Sequence, residues 1–309
     1  SPYLDAGALI TAAKKSGADC VHPGYGFLSE SGDFAQQCAA AGLTFVGPPA
    51  KALEIFGDKT AAKALASSLQ PPVPTLTGSV EAFVSAEAAL DFVKQHGLSE
   101  RAWMLKAAKG GGGRGMRRIP RGTSSDDFLA AFKVAYSEAA GAFGAGGVFV
   151  EELLERCRHI EVQVLASASG EVAHLFERDC SVQLARGSKV VEVCPAVALH
   201  PEVRQRLLAD AVRLIAATPD GYVNLCTVEF LVEEPEGPGS IGRHAFIEVN
   251  PRLQVEHGVT EEACGVDLVR AQFRLADGAG LRESLDLADS SSDGAFGLLP
   301  PPTSCALEV

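Results

Sequence analysis

The 309-residue chain contains no apolar run of 18 or more residues, so it offers no membrane-spanning helix, and no charged-then-apolar leader precedes its first motif. It has no C-x-x-C pair. Its eight cysteines (Cys20, Cys38, Cys157, Cys180, Cys194, Cys226, Cys264, Cys305) are scattered, which excludes a zinc ribbon and a thioredoxin-like motif and reads as buried thiols of a reducing compartment. Basic residues are in deficit, 27 Lys+Arg against 39 Asp+Glu for a net charge of −12, which excludes a protein that works by neutralising many nucleic-acid phosphates. Internal repeats and the G-x-x-x-x-G-K-[ST] of a P-loop are absent too. What remains, 47% hydrophobic and 21% charged residues, is the balance of a soluble globular protein with about two domains or one large α/β unit. The chain starts at Ser1 and stops within a strand-like stretch, 305–309, so it is read as a piece of a longer parent in the cytoplasm or mitochondrial matrix.

Apolar periodicity gives helices at 6–16 and 33–41 and strands at 18–22 and 43–46, an αβαβ parallel layer. Strand 18–22 runs into Pro23-Gly24-Tyr25-Gly26, a carboxyl-end loop of the kind where open α/β sheets place ligands. One helix, 51–69, ends at Pro71-Pro72-Val73-Pro74. A smaller unit follows, with helix 82–96, strand 103–107, a glycine loop at 110–115 and helix 124–140. Strands at 148–154, 161–166, 172–177, 223–233 and 244–255, helices at 201–218 and 266–276, and a linker at 286–302 complete the reading.

Three segments carry chemistry. Glu248-Val-Asn250-Pro-Arg252-Leu-Gln254-Val-Glu256 alternates polar and apolar residues over nine positions, so an extended backbone puts five polar groups on one face. Carboxylate and amide oxygens suit Mg²⁺, and a guanidinium suits a carboxylate or phosphate. Thr227-Val-Glu229 precedes it across a loop, so a hairpin brings Glu229 beside Glu248, and a divalent cation would relieve their repulsion. Lys106-Ala-Ala-Lys109-Gly-Gly-Gly-Gly113-Arg114 surrounds a tetraglycine with cations, a loop whose bare N–H groups can wrap a phosphate.

With His22-Pro-Gly-Tyr-Gly-Phe-Leu-Ser-Glu30, Gly57-Asp-Lys59, Glu177-Arg-Asp-Cys-Ser-Val-Gln183 and Phe246 to His257, these motifs resemble biotin carboxylase, an ATP-grasp ligase, in order over almost the whole chain. Among biotin-dependent carboxylases the likeness is greatest to pyruvate carboxylase, with acyl-CoA and urea carboxylases next. The resemblance implies an α/β protein: a partial Rossmann-like (pre-ATP-grasp) parallel-sheet domain at 1–54, then an ATP-grasp domain at 55–275 with a mobile glycine-rich subdomain at about 75–153. A linker and the start of a further domain follow at 276–309.

It also implies roles. Lys59 and Lys106 hold ATP phosphates under a lid of Gly111, Gly112 and Gly113. Glu151 and Leu154 match the adenine hinge, with Glu152 where the family has Lys, and His159 and Gln183 match further nucleotide contacts. Glu229, Glu248 and Asn250 match the shell of Mg²⁺ (or Mn²⁺). Arg252, Gln254 and Val255 match the bicarbonate site, Glu256 the general base, and Lys189 a lysine near bicarbonate and the γ-phosphate. Biotin is the carboxyl acceptor, on a carrier domain outside this chain, and a carboxyltransferase domain and a homo-oligomeric parent are implied; nucleic acid and membranes are not partners.

Two departures stand against the pattern. Gln183-Leu-Ala-Arg-Gly-Ser-Lys189 is one residue longer than the family's segment and lacks its His, which puts Lys189 out of register, and the chain ends before an arginine expected after Ala306-Leu-Glu308. Other readings of the same features are a carbamoyl-phosphate synthetase-like ligase and a catalytically impaired nucleotide-binding module. Trp103 is expected in a core; His96, His174, His200 and His244 are expected in packing or solvent roles, and His257 to orient the base.

Overall fold

The computed structural model describes residues 2–107, 116–143, 147–184, 188–235, 241–287 and 298–309. The chain is a mixed α/β protein of two compact units, 1–74 with 158–182 and 189–309, and 75–157 with 183–188.

In the first unit, α1 (Ala6–Ser16), β1 (Cys20–Val21), α2 (Gly32–Ala40) and β2 (Thr44–Phe45) form the expected layer, and the two short strands pair in parallel. Asp5 caps α1 with its side chain, and Gly17 closes it at φ 74°, a left-handed turn that glycine adopts without strain. The single helix expected at 51–69 is two, α3 (Ala50–Gly57) and α4 (Lys59–Ser68). Asp58 breaks them because its extended backbone lets its carboxylate take the Thr60 and Ala61 N–H groups. Lys59 therefore opens α4.

The second unit is built from α5 (Ala86–Gln95), β3 (Ala102–Ala107), β4 (Met116–Ile119), α6 (Ser125–Phe143) and β5 (Val148–Leu153). Its sheet has the order β4-β3-β5, all antiparallel. Trp103, Leu105, Val148 and Val150 share one face by strand alternation and meet Leu90, Val93, Phe128 and Phe132 from the two helices. Trp103 is the core residue expected. The tetraglycine, Gly111 to Gly113 included, lies outside the described residues.

The remaining elements complete the first unit: β6 (Cys157–Ala166), β7 (Val172–Gln183), β8 (Lys189–Cys194), α7 (Pro201–Ala216), β9 (Asn224–Glu233), β10 (His244–Asn250), α8 (His257–Cys264), α9 (Leu268–Ala276), α10 (Leu281–Ser284) and β11 (Ala306–Glu308). The six-stranded sheet runs β10-β9-β6-β7-β8-β11. Ile160, Val162 and Val164 point to one core, filled by α3, α4 and α7. Leu165 and Leu225 point the other way, to a core under α9 and α10. Glu161, Gln163, Thr227 and Glu229 have the parity of Leu165 and Leu225, so they share that second face at its polar end.

Two readings are corrected here and one is refined. The nine-residue alternation is not one strand: β10 ends at Asn250, since Pro251 has no N–H to donate, and 251–256 turn into α8. Of the cysteines, Cys38, Cys180, Cys194 and Cys226 are buried, whereas Cys20, Cys157 and Cys264 are half-buried and Cys305 is exposed at the open end of the chain. Finally, β10 reaches the site only through a register shift between Phe246 and Glu248. Phe246 pairs with Phe230 and Glu248 with Glu229, so one extra residue turns Glu248 away from the core that holds Phe246.

Candidate active site

The polar end of the sheet gathers side chains from β6 to β10 and from the 251–256 turn. Arg178, on β7 and wholly buried, is its hub. Its Nε donates to Glu161 Oε1 at 2.5 Å, Nη1 to Gln163 Oε1 at 2.8 Å and Thr260 Oγ1 at 2.9 Å, and Nη2 to Thr227 Oγ1 at 3.2 Å and Gln254 Oε1 at 2.9 Å. Every donor of the guanidinium's outer edge has a partner, which is the condition for keeping such a charge in a dry interior. The Gln254 amide is thereby oriented: its oxygen faces Arg178 and its nitrogen donates to Glu229 Oε1 at 3.2 Å.

Glu229 receives four donors. His159 Nε2 lies 2.8 Å from Oε2, and Asn250 Nδ2 at 2.7 Å and Lys189 Nζ at 3.5 Å reach Oε1 along with Gln254. Burial alone would raise its pKa, but His159 and Lys189 outweigh burial and hold the carboxyl down at about 2. The same contact raises His159 against the burial that would lower it.

Lys189 opens β8 and bridges Glu161, Oε2 at 2.5 Å, to Glu256. Burial opposes its charge, yet Glu161 and Glu229 drive its pKa well above the usual lysine range. The longer segment before it does not take it out of the site, although 185–187 lie outside the described residues. Glu161, with no exposed surface, is held below the carboxylate range by Arg178 and Lys189 against its burial.

At the rim, Lys59 Nζ lies 2.5 Å from Glu248 Oε2. Arg252 Nε donates to Glu30 Oε1 at 2.5 Å and Nη2 to Asn250 Oδ1 at 3.2 Å, so the loop after β1 does reach the site through Glu30. Val255 is exposed, and Glu256 ends the turn at the start of α8.

In the second unit, Lys106 and Glu151 form an ion pair on the sheet face opposite the core. Glu152 is accommodated by Arg101 Nη1 at 3.2 Å and the Thr77 N–H at 3.4 Å. Leu154 is buried, and Gln183 ends β7 partly exposed.

Sequence reasoning missed Glu161, Gln163 and Arg178. The signal was present: His159-Ile-Glu161-Val-Gln163-Val alternates as 248–256 does, and β6 is extended throughout. His174 is buried and His244 pairs with Asp210 at 2.8 Å, both outside the site; His257 Nδ1 lies 2.8 Å from the Gln254 carbonyl, within reach of the turn that carries Glu256.

Residues 58–284 match the family described as carbamoyl-phosphate synthase L chain, ATP binding domain, and residues 1–53 match biotin carboxylase, N-terminal domain. The chain is 49% identical over 279 residues to pyruvate carboxylase 1 of Caenorhabditis elegans, and 47% identical over 279 residues to the mitochondrial pyruvate carboxylase of Homo sapiens; each comparison covers 90% of this chain and 22% of the relative. Among solved structures, biotin carboxylase from Campylobacter jejuni in a beta-gamma-ATP complex is 40% identical with a TM-score of 0.76, over 92% of this chain and 60% of that one. The biotin carboxylase domain of Hydrogenobacter thermophilus 2-oxoglutarate carboxylase, a dimer with MgADP, ADP and bicarbonate, is 40% identical with a TM-score of 0.74, over 92% and 59%. The chain thus spans about a fifth of the curated relatives, 22% of their length, and about 60% of these solved chains.

Proposed function

We propose, for a chain that belongs to the biotin carboxylase family of ATP-grasp proteins, that it carries out the ATP- and bicarbonate-dependent carboxylation of biotin within a pyruvate carboxylase-like parent. The observation that carries the reading is one cluster in which Gln254 and Lys189 reach Glu229, Glu256 pairs with Lys189 and Arg252 reaches Asn250, offering cations, an amide and a carboxylate to a small anion.

Bicarbonate, gripped by Arg252 and the Gln254 amide, attacks the γ-phosphorus of ATP while Glu256 takes its proton. Lys189, bonded to Glu256, is placed to receive charge from the same anion. Lys59 and Lys106 neutralise the phosphate oxygens on which charge develops. The products are ADP and carboxyphosphate, whose CO₂ passes to N1′ of biotin. His159, Glu151, Leu154 and Gln183 are assigned to the nucleotide, and Gly111 to Gly113 to the lid over it.

The donor set fits a divalent cation: Glu229 and Glu248 face each other in register, and Asn250, whose Oδ1 accepts from Arg252, would offer that oxygen as a third hard ligand. Bound there, Mg²⁺ would offset the negative charge of the phosphates. Lys59 would then be released from Glu248 toward phosphate.

The biotin carboxylase match at 1–53 supports the carboxylase over a carbamoyl-phosphate synthetase role. The domain limits 1–54, 55–275 and 276–309, carrier and carboxyltransferase partners, a homo-oligomeric parent and a cytoplasmic or mitochondrial-matrix setting belong to the same proposal. No helix among the described residues is long and apolar enough to cross a membrane. The test is bicarbonate-dependent ATP cleavage stimulated by free biotin, which the reading requires and a nucleotide-binding scaffold would not show.

A further inference from the structure

The N–H groups of Arg178 all end on protein: Nε on Glu161, the Nη1 pair on Gln163 and Thr260, and the Nη2 pair on Thr227 and Gln254. Glu161 and Gln163 lie on β6, Thr227 on β9 and Thr260 on α8, so the guanidinium is fixed from elements that do not depend on a bound substrate. Gln254 differs from these four. It sits in the turn after β10, where it has no ladder partner, and it is the acceptor of the set that the carboxylase reading places against bicarbonate.

An amide side chain fits a tight space either way round, because its oxygen and its nitrogen have nearly the same shape; its neighbours decide. Arg178 Nη2 can only donate, and it meets Gln254 Oε1 at 2.9 Å. The Glu229 carboxylate can only accept, and it meets Gln254 Nε2 at 3.2 Å. Turned over, the amide would set its NH2 against a guanidinium and its oxygen against a carboxylate. Gln254 is buried, and one of its two N–H groups is spent on Glu229, which leaves the other with no protein partner among the described residues. A carbonyl oxygen in its place would repel an anion.

We propose that Arg178 is a positioning residue for bicarbonate: by holding the Gln254 oxygen it keeps the amide nitrogen as the group offered to the anion, and so sets bicarbonate affinity through Gln254. The inference rests on the carboxylase reading above. It predicts a coupling between two residues, which a general loosening of the fold would not produce.

The test is a double-mutant cycle on the protein that contains this chain, reading KM for bicarbonate, KM for MgATP and kcat from bicarbonate-dependent ATP cleavage. Arg178→Lys keeps a charge beside Glu161 but ends short of Gln254. It is expected to raise the bicarbonate KM about tenfold, the loss of one charge-assisted hydrogen bond, while kcat and the KM for MgATP change by less than about threefold. Gln254→Ala raises the bicarbonate KM as well, and Arg178→Lys added to it raises it no further. Thr227→Val, close in shape, removes only the acceptor that shares Nη2 with Gln254 and serves if Arg178→Lys does not accumulate folded. Its expected effect is a rise of about two- to threefold, also absent beside Gln254→Ala. Effects that add in the double variants, an unchanged bicarbonate KM, or a loss as large for MgATP as for bicarbonate would overturn the proposal. A parent whose ATP cleavage ignores bicarbonate would overturn the carboxylase reading itself, and this inference with it.

Discussion

Glu229 and Glu248 are directly opposed in the β9–β10 ladder, and each carboxylate holds its own cation: Lys189 on Glu229, beside the His159 imidazole, and Lys59 on Glu248. Two bare carboxylates about 4 Å apart would repel by roughly 4 kcal/mol at an effective dielectric near 20. The pair is therefore held together by cations, and a metal can replace the exposed one. Glu248→Gln is expected to abolish metal-dependent ATP cleavage while leaving the fold intact, since its side chain is partly exposed. Steady-state turnover with circular dichroism checks this; unchanged turnover contradicts the assignment.

Arg178 is buried with Glu161, and Glu161 in turn holds Lys189. Arg178→Met leaves the Glu161 charge with one partner instead of two and should cost about 3–5 kcal/mol. Arg178→Lys, which keeps the charge but not the fork, should cost less. Urea midpoints of the three proteins decide it, and a Met variant as stable as the parent rules out the hub.

The strands and most helices were legible because their apolar residues repeat with period two or 3.6. What was not legible depends on single positions. Asp58 splits a continuous helical pattern because its side chain competes for backbone N–H groups. The β10 bulge cannot be read from Phe246-Ile-Glu-Val, yet without it Glu248 would share a face with Phe246. Pro251 ends the strand, but Gln254 and Glu256 still arrive at the site because the turn folds back over Glu229, a tertiary effect with no periodicity. Arg178 was overlooked because, between Glu177 and Asp179, nothing in the sequence marks it as the inward-facing charge until Glu161 is seen opposite it in register.

Arg252 and Glu256 should separate kinetically. Arg252→Ala is expected to raise the bicarbonate KM about tenfold or more, the loss of one charge-assisted contact of roughly 1.5–3 kcal/mol. Glu256→Ala should lower kcat with little change in the KM for ATP, since it acts on the proton. Initial rates over bicarbonate and ATP check both; equal effects of the two changes confined to ATP affinity contradict the roles.

His174 gives a pH signature of stability. Burial holds its pKa at about 4 against 6.5 in the unfolded chain, so it stays neutral in the fold. Above pH 6.5 neither state binds the proton. Below it the unfolded chain alone does, and stability falls by about 1.4 kcal/mol per pH unit until the native imidazole charges near 4. Between pH 7 and pH 5, His174→Gln should lose about 2 kcal/mol less than the parent by urea unfolding; equal losses contradict it.

The measurement that bears most directly on the function is transfer of label from bicarbonate to free biotin in the presence of MgATP, run on the protein that contains this chain and on its Glu248→Gln and Glu256→Ala variants. The account predicts labelled biotin with one ADP formed per carboxyl group transferred, lost in Glu248→Gln and strongly reduced in Glu256→Ala. ATP cleavage that ignores bicarbonate, or labelled biotin formed equally by all three proteins, would contradict it.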